Sequence, residues 1–93
     1  MTEQQIQKGI VNLIEKDYKG YVVKVMVASR SGVPDLVCCV RGRFIAIEVK
    51  KPSSKTNVSK LQEYNLGLVD KAGGVAIVAW SVEMVANILE GLD

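Results

Sequence analysis

Residues 35–50, DLVCCVRGRFIAIEVK, are two apolar runs rich in β-branched residues on either side of Arg41-Gly42. Strands of this kind lack the in–out alternation of a half-solvated sheet, so they need cover on both faces. Arg41-Gly42 reads as a two-residue hairpin loop, because Gly42 can supply the positive φ that such loops require. With that loop Val40 faces Arg43, and counting outward sets Asp35 opposite Glu48. A three-residue loop would shift the pairing by one and put the two acids on opposite faces.

The flanking segments supply the cover. Thr2 and Gln5 match a capping box, after which Ile6, Ile10, Leu13 and Ile14 recur at helical spacing to about Asp17. Lys19-Gly20 ends that helix, Tyr21 to Ala28 reads as a strand, and SRSGVP (Ser29 to Pro34) as a loop. Beyond the hairpin, Pro52 to Asn57 is polar. Val58 to Ala72 reads as a helix with Val58, Leu61, Leu68 and Val69 inward, closed by Gly73-Gly74. Val75 to Trp80 is a fourth strand, and Ser81 caps a last helix carrying Val82, Val85, Ile88 and Leu89. The order α-β-β-β-α-β-α predicts an α/β fold, a mixed central sheet flanked by helices.

At 93 residues this is one domain, 1–93, small enough that pairing with a second copy is expected. No apolar run nears the roughly 20 residues of a membrane span. The start, Met-Thr-Glu-Gln-Gln, lacks the features of a signal peptide, so a cytoplasmic location is expected. Adjacent Cys38 and Cys39, with no histidine in the chain, do not form a zinc or redox motif and read as small buried strand residues. The net charge of +2 is mild, but Lys50 to Lys60 holds four lysines and no acid, with Arg41 and Arg43 just upstream. By itself such a stretch is most simply a solvated loop.

Chemistry enters at the open end of the hairpin. Directly opposed residues hold their Cβ atoms roughly 4.5–5.5 Å apart, and Lys50, two beyond Glu48, points to the same face. Two facing carboxylates repel unless a cation lies between them. Without histidine, a hard ion such as Mg²⁺ or Mn²⁺ suits an oxygen-only site. The plain alternative makes Asp35 a turn cap after Pro34 and Glu48–Lys50 a surface pair. Against it, buried strands rarely carry two acids and a lysine.

SGVPDLV (Ser31 to Val37) followed by IEVKK (Ile47 to Lys51) resembles the signature of the PD-(D/E)xK nucleases, and more narrowly of the VRR-NUC, or virus-type replication-repair nuclease, domain. Glu3 in the first helix and Gln62 in the second extend the resemblance over nearly the whole chain. It implies a restriction-endonuclease-like core in which Asp35, Glu48 and the backbone carbonyl of Val49 bind Mg²⁺ or Mn²⁺, with Glu3 near the metal directly or through water. Lys50 would assist the attacking water, and Gln62 would support the site or touch phosphate. Glu15 and Glu63 are rival sources of a further acid. Arg30, Ser31, Lys51, Lys55 and Lys60 are the expected DNA contacts. Stand-alone members resemble Holliday-junction resolvases, so branched DNA and a homodimer are expected, with Tyr18, Tyr21, Met26 and the last helix as candidate interface. A flap endonuclease or nickase, or a non-catalytic nucleic-acid-binding module, are the alternatives. No separate recognition domain fits, so recognition by DNA shape is expected.

Overall fold

Two capping boxes start the two longer helices of the computed structural model, which describes residues 1–52 and 58–92. Thr2 Oγ1 accepts from Gln5 N–H while the Gln5 side chain accepts from Thr2 N–H, and α1 (Glu3–Asn12) follows. A wide π turn over Leu13–Asp17 completes the first helical segment. Then come β1 (Tyr21–Lys24), β2 (Leu36–Val40), β3 (Arg43–Val49), α2 (Lys60–Lys71), β4 (Val75–Ala79) and α3 (Val82–Glu90). The sheet order is β1-β2-β3-β4, antiparallel except for the parallel β3–β4 pair that α2 connects. This is the mixed sheet flanked by helices that the element order predicts. Among the described residues no helix is long and apolar enough to cross a membrane.

The hairpin closes in two residues: Val40 pairs with Arg43, and both Arg41 (φ 54) and Gly42 (φ 80) are left-handed. This is the type I′ geometry that matches the strand twist. On one face of the sheet, Ile6, Ile10 and Ile14 of the first helical segment join Val85 and Leu89 of α3. They cover Leu36, Cys38, Val40, Ile45, Ile47, Val49, Ile77 and Ala79. Each such buried aliphatic side chain contributes roughly 1.5–3 kcal/mol.

The other face is only partly covered. It carries Asp35, Val37 and Cys39 from β2 and its approach, and Phe44, Ala46 and Glu48 from β3, while α2 rests on β3 and β4 alone. Cys39 is therefore exposed, contrary to expectation, and only Cys38 is buried. For the same reason Tyr21 is 71% and Phe44 49% exposed. A cleft of about 570 Å³, lined by Val33, Pro34, Val37, Phe44, Leu68 and Val69, runs beside α2.

Two expected boundaries and one stripe change. β1 ends at Lys24 rather than Ala28, because continuing the β1–β2 register would set Met26 against Pro34, which has no N–H to give the ladder. Helix α2 begins at Lys60 with Ser59 as its cap, and its buried residues are Asn65 and Leu66. Leu61, expected inward, is 48% exposed. Of the candidate interface, Tyr18 and α3 are already committed within the chain. The Tyr18 hydroxyl donates to Glu90, the Arg41 guanidinium lies 5.5 Å over its ring, and Val85 and Leu89 are core.

Candidate active site

Asp35 sits at the threshold of β2, its backbone oxygen accepting from Val25 N–H at 2.8 Å. The ladder pairs Leu36 with Ile47, so one step outward Asp35 lies opposite Glu48. Its Oδ2 accepts from Val49 N–H at 2.8 Å, tying the acid to the neighbouring strand. Lys50 N–H in turn donates to Ala79 O at 2.9 Å, which carries the β3–β4 pairing to the site.

Glu48 is 3% exposed, and its Oε1 has no hydrogen-bond partner among the described residues. Its Oε2 accepts from Gln62 Nε2 at 3.1 Å and lies 3.7 Å from Lys50 Nζ. Burial, and then the Asp35 carboxylate facing it, push the Glu48 carboxyl up from its ordinary 4.5 to about 7, with Lys50 opposing. Two carboxyls this close can share one proton or hold one cation.

Gln62 is fixed at both ends. As the third residue of α2 its Oε1 accepts from Ser59 N–H at 2.9 Å, closing the capping box. That leaves Nε2 aimed at Glu48. Glu3 lies at the rim, where its Oε2 accepts from Lys51 N–H at 3.3 Å. Among the described residues no three acids, cysteines or histidines gather as a metal-ligand cluster. The structure thus brings Asp35, Glu48, Lys50 and Gln62 together, with Glu3 beside Lys51. Glu15, in the π turn at the far end of the first helical segment, and Glu63 are both solvent-exposed.

Of the expected DNA contacts, Arg30, Ser31, Lys51 and Lys60 are exposed. Lys55 lies outside the described residues. One residue of the site region has no place in the sequence reading. Asn65, 6% exposed, donates through Nδ2 to Ser31 O at 3.1 Å and to Leu61 O at 2.9 Å, pinning the loop before Asp35 onto α2. Its signal was a lone polar residue between Leu61 and Leu68-Val69 on the inward stripe.

The chain matches no protein-family sequence model and no curated protein by sequence. Three solved chains match it in structure. One, titled VRR_NUC domain, is 27% identical over 97% of both chains with a TM-score of 0.77. Another, titled VRR_NUC domain protein, is 19% identical over 97% of this chain and 86% of its own, with a TM-score of 0.75, and agrees in fold. With the PD and ExK residues meeting at the end of one hairpin, and this agreement along the whole chain, the protein is a VRR-NUC domain, a nuclease-type fold.

Proposed function

We propose that the chain is a metal-dependent endonuclease that hydrolyses DNA phosphodiester bonds, acting as a single domain inside the cell. The observation that carries this reading is Glu48: a buried carboxylate facing a second one, with one oxygen free of any partner and a lysine on its other side. A site that only stabilised the fold would have paired that oxygen. The donors suit Mg²⁺ or Mn²⁺, since all are oxygens and such ions commonly bind one or two carboxylates together with substrate phosphate and water.

Asp35, Glu48 and the carbonyl of Val49 would hold the ion directly, and Glu3 through water. Bound there, the ion supplies charge neutralisation at phosphate and a more acidic water. The protein's own groups do the rest. Val49 N–H fixes the Asp35 carboxylate, and Gln62 fixes Glu48. The Lys50 ammonium, 3.7 Å from Glu48, orients the attacking water and offsets charge growing on the phosphoryl oxygens. Arg30, Ser31, Lys51, Lys55 and Lys60 bind the flanking backbone by charge and hydrogen bonding, which reads shape rather than sequence. Branched DNA with two equivalent strands suits a homodimer, and the uncovered Tyr21 and Met26 surface, 71% and 77% exposed, supports pairing there.

The test is cleavage of a synthetic four-way junction, a flap and a linear duplex in Mg²⁺, Mn²⁺ or EDTA, alongside sedimentation of the free protein. Metal-dependent paired nicks lost in Lys50→Ala support the reading. DNA binding without cutting in either metal sinks the enzyme, and a single flap cut by a monomer sinks junction resolution.

A further inference from the structure

The nuclease site uses the face of the sheet under α2, yet the same end of the sheet carries a second basic surface on the opposite face. Lys24 ends β1 and pairs with Leu36, one step from Asp35, and alternation turns it to the α1 side. There it lines a cleft of about 300 Å³ with Gln4, Gln7, Lys8, Val11 and Leu36. An adjoining cleft of about 360 Å³ contains Glu3, Gln4 and Lys51. Gln4 lines both, so the two form one path from the rim of the site across the first turns of α1 to edge strand β1.

The chemistry of this path is one-sided. Lys8 and Lys24 are exposed and form no ion pair among the described residues. The 300 Å³ cleft has no acid in its lining. Its floor holds Gln7, 9% exposed, whose Oε1 is buried without a partner. A buried amide with an unmet hydrogen bond flanked by two ammonium groups is a poor seat for an apolar side chain. It suits a hydrated, strongly anionic chain.

We propose that Gln4, Gln7, Lys8 and Lys24 form a second track for a DNA phosphate backbone, across the sheet edge from the metal-side contacts. The proposal rests on the nuclease reading for the identity of its ligand. It makes the end of the sheet a saddle: one strand passes over Asp35 and Glu48, while a second is held on the α1 side. Such a grip fits duplex or junction arms and leaves half of itself empty on a single strand.

The experiment is equilibrium binding of a fluorescent duplex and a four-way junction in EDTA, at several salt concentrations. The proteins are the wild type, Lys8→Ala/Lys24→Ala, and Lys16→Ala/Lys71→Ala. The last removes the same charge at the opposite end of the molecule, from the π turn and the end of α2. Each phosphate released should lower the slope of log K against log salt by about 0.9, so the Lys8/Lys24 variant should lose about 1.8 and bind about tenfold more weakly near 0.1 M salt. The Lys16/Lys71 variant should stay within about twofold of wild type. Thermal melts of all three establish that they are folded, and Lys8→Gln/Lys24→Gln repeats the test with longer side chains. Equal slopes for the two double alanine variants overturn the track, as does a wild type that binds no duplex. Because binding is read without metal, a wild type that holds DNA but never cuts it in Mg²⁺ or Mn²⁺ defeats the nuclease reading alone.

Discussion

Glu48→Gln should make the metal-free protein more stable while ending its activity. In the fold this carboxyl ionises near pH 7 rather than at 4.5, chiefly because it is buried and next because Asp35 faces it. The folded state therefore holds the Glu48 proton more tightly than the unfolded chain does. Wild-type stability is highest below pH 4.5, falls as pH rises through 7, and is lowest above that. At about 1.36 kcal/mol for each pH unit, the full cost of ionising Glu48 in the fold is about 3 kcal/mol. Glutamine has no proton to lose, can accept from Gln62 as Glu48 does, and can donate to Asp35, though it gives up the Lys50 contact. A net gain of about 2 kcal/mol at pH 8 is the reasonable expectation, raising Tm by about 8–16 °C for a domain of this size. The assay is thermal unfolding by circular dichroism in EDTA from pH 4.5 to 8.5. The gain should vanish at the acid end, and added Mg²⁺ should stabilise the wild type but not the variant. A difference in Tm that is constant with pH, or a variant less stable than wild type at pH 8, would refute the argument.

Other substitutions probe separate parts of the site. Asp35→Ala leaves Val49 N–H without its acceptor, so it should cost about 1–3 kcal/mol in denaturant unfolding as well as abolish metal-dependent cleavage. Gln62→Ala removes both a capping box and the donor to Glu48. About 1 kcal/mol of stability should go with the cap, and Mg²⁺ titrations of cleavage should move to higher concentration, with Gln62→Glu moving them further. Gly42→Ala places a Cβ where nothing lies within 4 Å but φ is +80, so its cost of about 1–2 kcal/mol is backbone strain alone and should appear as a lower Tm. Asn65→Ala frees the loop before Asp35 from α2, and limited trypsin digestion should cut faster at Arg30; an unchanged rate would mean the loop is held by other contacts.

Much of the fold was open to reading because its signals are local. Caps at Thr2 and Ser81, the Arg41-Gly42 turn and the periodicity of Ile6, Ile10 and Ile14 depend on residues a few positions apart. The opposition of Asp35 and Glu48 was legible too, since a two-residue turn transmits its register along both strands. What failed depended on neighbours remote in sequence. Strand β1 stops where Pro34, ten residues further on, cannot donate to it. Cys39 and Cys38 are chemically identical, and only the placement of α2 over β3 and β4 leaves one of them in solvent.

The candidate site divides the same way. The sequence alone determined that two carboxylates and a lysine meet on one face of a hairpin, because alternation and a tight turn leave little freedom. Tertiary structure decided how buried Glu48 is, that one of its oxygens stays unpaired, and that Gln62 reaches it from a helix cap. It also decided that Glu3 rests on the backbone of Lys51, and that Lys8 and Lys24 share a cleft. Burial and long-range hydrogen bonds are properties of packed elements, and no spacing along the chain encodes them.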